Sequence, residues 1–105
     1  MVFDRIFGRK KQGLSKEGKQ YLQRERELYI QTLQIMQRCR TKQEILDGFS
    51  EIAGIASRFN NEDLANSARH IAENLKSLPI EYVVQLRNDQ IYAAEAFLVT
   101  TKKYS

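Results

Sequence analysis

Residues 41–78, TKQEILDGFSEIAGIASRFNNEDLANSARHIAENLKSL, carry two apolar stripes of one rhythm. Ile45, Phe49, Ile52, Ala56 and Phe59 follow in steps of four, three, four and three, and Leu64, Ala68, Ile71, Leu75 and Leu78 repeat those steps. Such spacing holds side chains on one side of an α-helix, so each run predicts a helix with a single core-facing stripe. Thr41 and Glu44 have the spacing of a capping box, in which the hydroxyl and the carboxylate each satisfy a backbone amide at the helix start. Asn60 or Asn61 can cap the second helix, whose first turn holds Glu62 and Asp63 where the helix dipole favours acids. Matched stripes across so short a connection predict an antiparallel helical hairpin. Gly48 and Gly54 each cost about 1 kcal/mol relative to alanine inside a helix. Gly54 with Ala53 and Ala56, set against Ala65, Ala68 and Ala72, predicts close approach of the two hairpin backbones.

Upstream, the chain from Ser15 to about Cys39 reads as a longer helix, with Ser15 as its cap and Gly18 weakening the first turn. Its apolar positions are Tyr21, Leu22, Leu28, Tyr29, Leu33, Ile35, Met36 and Cys39. At 1.5 Å per residue it would span roughly 37 Å, longer than the helices after it. Downstream, Pro79 suits the first turn of a fourth helix reaching about Lys102. Between Ile91 and Val99 only Glu95 is polar, and the other side chains point in nearly every direction around a helix. Such a segment must be central in the bundle or meet another chain, and its terminal place favours the second. The expected fold is all-α, a small bundle of about four helices over residues 14–105, preceded by a short basic amphipathic segment, residues 1–13.

Composition narrows the class. Of 105 residues, 42% are hydrophobic and 29% charged, with 5 Gly and 1 Pro, which excludes a collagen-like repeat and a charged disordered tail. Cys39 is the sole cysteine, so no internal disulfide can staple the chain, and a reducing compartment, the cytoplasm, is expected. The net charge is +4 and is unevenly placed. Residues 1–20 hold six basic and two acidic residues, while residues 21–105 hold eleven of each. The body is neutral, and the basic character belongs to the leader.

Residues that could do chemistry are few. No three His, Cys or carboxylate residues have a metal-ligand spacing, and no glycine-rich phosphate loop is present, so no cofactor or metal is expected. His70 falls opposite its helix's apolar stripe and should face solvent without a nucleophile to serve. Cys39, beside Arg38 and Arg40, reads as a small core residue on the Leu28 and Ile35 side, against the alternative of a reactive thiol. Glu95 reads as the solvent-facing line of its helix or an interface partner, against the alternative of a buried functional acid. Nothing supports catalysis, and the expected function is protein interaction, as an adaptor or scaffold subunit.

Two segments are the expected contacts. Tyr92, Glu95, Ala96, Phe97 and Val99 form the expected protein interface, toward a partner or a second copy. In the leader, Val2, Phe3, Ile6 and Phe7 would share one side of a helix, with Arg5, Arg9, Lys10 and Lys11 beside them. That pattern suits the surface of an anionic membrane, at the inner face of which the protein would be peripheral. Buried apolar side chains would contribute at most ~1.5–3 kcal/mol each and basic residues about 1 kcal/mol each. Ordering the segment costs about 1–2 kcal/mol per residue, so one copy binds weakly and several bind better through avidity. Two other readings compete: a leader that is disordered in isolation or docks its hydrophobics on the bundle or a protein partner, and binding of nucleic acid by the leader with Arg24, Arg26, Arg38, Arg40 and Lys42. The neutral body and the phenylalanines in the leader make nucleic acid the weaker of these.

Overall fold

The computed structural model describes residues 15–104, and the leader residues singled out above lie outside them. Four helices follow in order: α1 Lys16–Arg38, α2 Lys42–Arg58, α3 Glu62–Asn74 and α4 Ile80–Thr100, with a 3₁₀ turn at Lys102–Tyr104. The fold is a small all-α bundle with no strand among the described residues.

Local chemistry sets the helix ends. Ser15 Oγ accepts from Gly18 N at 3.1 Å and opens α1. The capping box forms in full: Glu44 N donates to Thr41 Oγ1, and the Glu44 carboxylate accepts from the amides of Thr41 and Arg40. Those two amides hold the Glu44 carboxyl below the usual range. At the far end of α2, Asn60 takes a left-handed φ of 62°. Asn61 N reaches back to Ala56 O and Asn60 N to Ser57 O, the paired bonds of a Schellman motif. Asn61 then caps α3, its Oδ1 accepting from Leu64 N at 3.1 Å. The two asparagines therefore divide the work: Asn60 closes one helix and Asn61 opens the next.

Several boundaries differ from expectation. Helix α3 ends at Asn74, with Leu75 as its C-cap, so Leu78 lies in the connection rather than on the helix. Pro79 is the residue before α4 rather than its first helical residue, and α4 stops at Thr100. On α3 the fully buried residues are Ala65 and Ala68, while Leu64 and Ile71, like Leu78 of the connection, are half-buried at the edge of the core.

Helix α2 is the hub. It contributes Ile45, Phe49, Ile52, Ala53, Ile55 and Ala56 to a core completed by Leu28, Ile35, Met36 and Cys39 of α1, Ala65 and Ala68 of α3, and Val83 of α4. Each large side chain buried there stabilises by about 1.5–3 kcal/mol before entropy is counted. The heaviest packing joins α2 to α3 and α1 to α4, and α2 also meets α1 and α4. Thr32 is buried too, its hydroxyl donating to Leu28 O at 3.0 Å, so the polar group costs little. The molecule measures 49 × 21 × 21 Å, with a radius of gyration of 15.3 Å, above the ~13 Å typical of a compact 100-residue domain. It is a rod.

The hairpin helices approach through Ala53, Ala56, Ala65 and Ala68, which are buried between them, but Gly54 takes no part. Gly54 is exposed, with only the Arg58 guanidinium near the position a Cβ would take. Gly48 is buried against α1 instead, under Ile35, Met36 and Cys39. At Gly48, α2 also packs tightly on α1.

Candidate interaction surface

Helix α4 lies antiparallel on α1. Arg26 Nη1 donates to Leu98 O at 2.9 Å and to Thr101 Oγ1, and the rings of Tyr29 and Phe97 meet at 4.6 Å. Nearer the other end, Arg87 Nε donates to Met36 O and Cys39 O at 2.9 and 3.0 Å. Rising positions on α1 thus meet falling positions on α4.

These contacts define the inner side of α4. Val83, Arg87, Gln90, Ala94, Phe97 and Thr101 recur in steps of three and four, and Val83 and Ala94 are wholly buried. The opposite stripe is Tyr82, Gln85, Asp89, Tyr92, Ala96 and Val99, with Glu95 beside it, and all of these are exposed. Tyr92 is 74% exposed, Val99 73% and Tyr82 63%, high values for apolar and aromatic groups. Tyr92, Glu95, Ala96, Val99 and Thr100 line a shallow depression of about 330 Å³. Thr100 turns its hydroxyl onto Ala96 O and Phe97 O of its own helix, which leaves its methyl for the depression. The Glu95 carboxylate is the one charged group of the lining.

Of the interface residues expected from sequence, Tyr92, Glu95, Ala96 and Val99 come together here. Phe97 does not: it faces inward and is half-buried on Tyr29. Its apolar neighbours on every side hid that difference, since α4 has no polar line to mark which way it is turned. Glu95 is solvent-facing, and α4 is peripheral rather than central.

The arginines grouped with the leader are largely committed within the fold. Arg26 holds α4, Arg38 pairs with Glu51 at 2.9 Å, and the Arg24 guanidinium lies 5.3 Å from the centre of the Phe59 ring. His70 is exposed, its ring nitrogen within 3.1 Å of Asn74 Nδ2. Cys39 is 5% exposed and its Sγ donates to Ile35 O. Burial raises the Cys39 pKa against the lowering effect of Arg38, which makes the thiol inert at neutral pH.

A second concavity escaped the sequence. Tyr21, Arg24, Glu25, Tyr29, Phe59, Asn61 and neighbouring residues of the α2–α3 turn surround an open groove of about 780 Å³. Asn61 Nδ2 donates to Glu25 Oε1 at 3.2 Å and ties the turn to α1. Burial raises the Glu25 pKa, opposed by that hydrogen bond and by Arg24. Burial and the Glu25 charge also raise the Tyr21 and Tyr29 pKa values, so both phenols stay protonated at neutral pH. The groove arises where α1 meets the α2–α3 turn, some thirty-five residues on in sequence, and no local spacing announces it.

Among the described residues no group of three His, Cys, Asp or Glu could hold a metal ion, and no helix is long and apolar enough to cross a membrane. In comparisons with known proteins, the chain matches no family model, no curated protein and no solved structure.

Proposed function

We propose that this protein is a non-enzymatic interaction subunit, an adaptor or scaffold, whose docking surface is the outer stripe of α4 and whose residues 1–13 attach it peripherally to an anionic membrane. The observation that carries the reading is the two-sidedness of α4. Its inner stripe completes the bundle, while Tyr92, Ala96 and Val99 continue an apolar line that the fold leaves in water. Exposed aromatic groups are what protein interfaces enrich, because a ring brings large area at low entropic cost. The membrane half of the proposal rests on the apolar stripe and basic cluster of the leader.

A photo-reactive amino acid at Tyr92, with Glu73 of α3 as the exposed control, tests the surface. The expected result is one discrete adduct from Tyr92 and none from Glu73; equal labelling from both would remove the docking claim. For the membrane, flotation with anionic vesicles should carry the full chain and leave behind a chain starting at Gly13. Equal flotation removes that claim and leaves the first standing.

A further inference from the structure

We propose that the occupant of the α4 outer stripe is a second copy of this chain, paired antiparallel through α4. The proposal rests on the docking reading above and names its partner. Charge along α4 is graded: Glu81 and Asp89 lie in its first half, Glu95 alone in its second, and Lys102 and Lys103, the latter over the Tyr104 ring, follow its last turn. The one cation within the helix, Arg87, is turned inward onto Met36 O and Cys39 O. Antiparallel pairing sets the acidic half of one α4 against the basic end of the other, whereas parallel pairing stacks like charges. Side-chain size is graded too. A two-fold axis between positions 92 and 96 lays each Tyr92 ring over the Ala96 of the second copy, large against small, so the helices approach closely.

Two features limit the strength. A single pair of helix faces is small beside standard stable interfaces, so the expected dimer is weak and concentration-dependent. Glu95, beside the axis, faces the second Glu95 and loosens the pair. That distinguishes the pairing from any basic occupant. For a basic occupant, the leader of the same chain included, Glu95 is an attraction and its neutralisation weakens binding. For a second copy, neutralisation tightens it.

Sedimentation equilibrium of the full chain over a concentration series tests this. The expected result is a shift from one chain's mass to two, abolished by Ala96→Arg and tightened several-fold by Glu95→Gln. Asp89→Lys should weaken the dimer, and adding Lys103→Asp in the same chain should restore it. Circular dichroism checks that each variant keeps its helices. Under oxidation a chain carrying Tyr92→Cys should cross-link to one carrying Ala96→Cys, while a Tyr82→Cys chain should not cross-link to its twin; self-linking at Tyr82 overturns the antiparallel arrangement. A chain that stays a monomer at every concentration overturns self-pairing. Should that monomer still give a discrete Tyr92 adduct with another protein, the docking reading survives and only its partner changes.

Discussion

A methyl group added at Gly48 would sit 2.8 Å from Met36 Cε, 2.9 Å from Cys39 Sγ and 3.2 Å from Ile35 Cγ2, while one at Gly54 meets only Arg58 Nη1 at 3.8 Å. Both substitutions gain about 1 kcal/mol of helix propensity. At Gly48 the overpacking cost of about 1–3 kcal/mol exceeds that gain, because Ile35 Cγ2 and the hydrogen-bonded Cys39 Sγ cannot swing away freely. Gly48→Ala should therefore lower stability by about 1 kcal/mol and Gly54→Ala raise it by about 0.5–1 kcal/mol, read as opposite shifts of the urea midpoint. The stripe of α2 was legible because it is local. Which neighbour lies on each flank was not, since that depends on α1, whose contact with Gly48 no spacing within the hairpin encodes. Glu25 gives a pH test of the groove. Its folded pKa is raised, chiefly by burial, so its favourable contribution is full below the unfolded value and fades as pH rises through the folded value. Glu25→Gln should thus stabilise the fold near pH 7 by a few tenths of a kcal/mol, the group being partly solvated, and the gain should vanish toward pH 4. Thermal melts of both chains across that range check the sign.

Helix ends divide into those closed by neighbours in sequence and one closed from a distance. Thr41 with Glu44, Asn60 and Asn61 close their helices within a few residues, and the capping box was accordingly readable from spacing alone. The C-terminus of α1 is different: Arg87, 48 residues beyond Cys39, brings its guanidinium to the last carbonyls. A cation there also complements the negative end of the helix dipole. Arg87→Ala should cost about 1.5–3 kcal/mol, the range for charged hydrogen bonds in a partly buried setting, and chemical denaturation would measure it. The exposed Arg38–Glu51 pair is the contrast, and Arg38→Ala should cost under about 1 kcal/mol. The sequence of α4 shows Arg87 as one polar residue among Glu81, Asn88 and Asp89, with nothing to distinguish its role. Only packing against α1 separates the inner from the outer side of a helix that is apolar nearly all round.

Across the whole molecule stability is unevenly spread. Helix α3 buries only Ala65 and Ala68 completely and is held chiefly by α2, whereas α2 is held on several sides. Native-state hydrogen exchange should find α3 amides opening at lower free energy than those of α2. Uniform protection across the two helices would instead mean that the bundle opens only as one unit. The bundle class was visible from the two repeated stripes, because burial on one face at helical period leaves few alternatives. The rod shape was not, since it follows from how far α1 and α4 slide past the hairpin between them. That arrangement also has a history in time. The α2–α3 contacts join residues close along the chain and can form early, while the α1–α4 contacts at Arg26 and Thr101 or Tyr29 and Phe97 must wait for a loop of about seventy residues to close. During synthesis α1 emerges first yet is completed last, standing with its lower carbonyls in water until α4 has been made. The hairpin is then the seed on which both outer helices settle, and φ-values should be high within it and near zero along the α1–α4 seam.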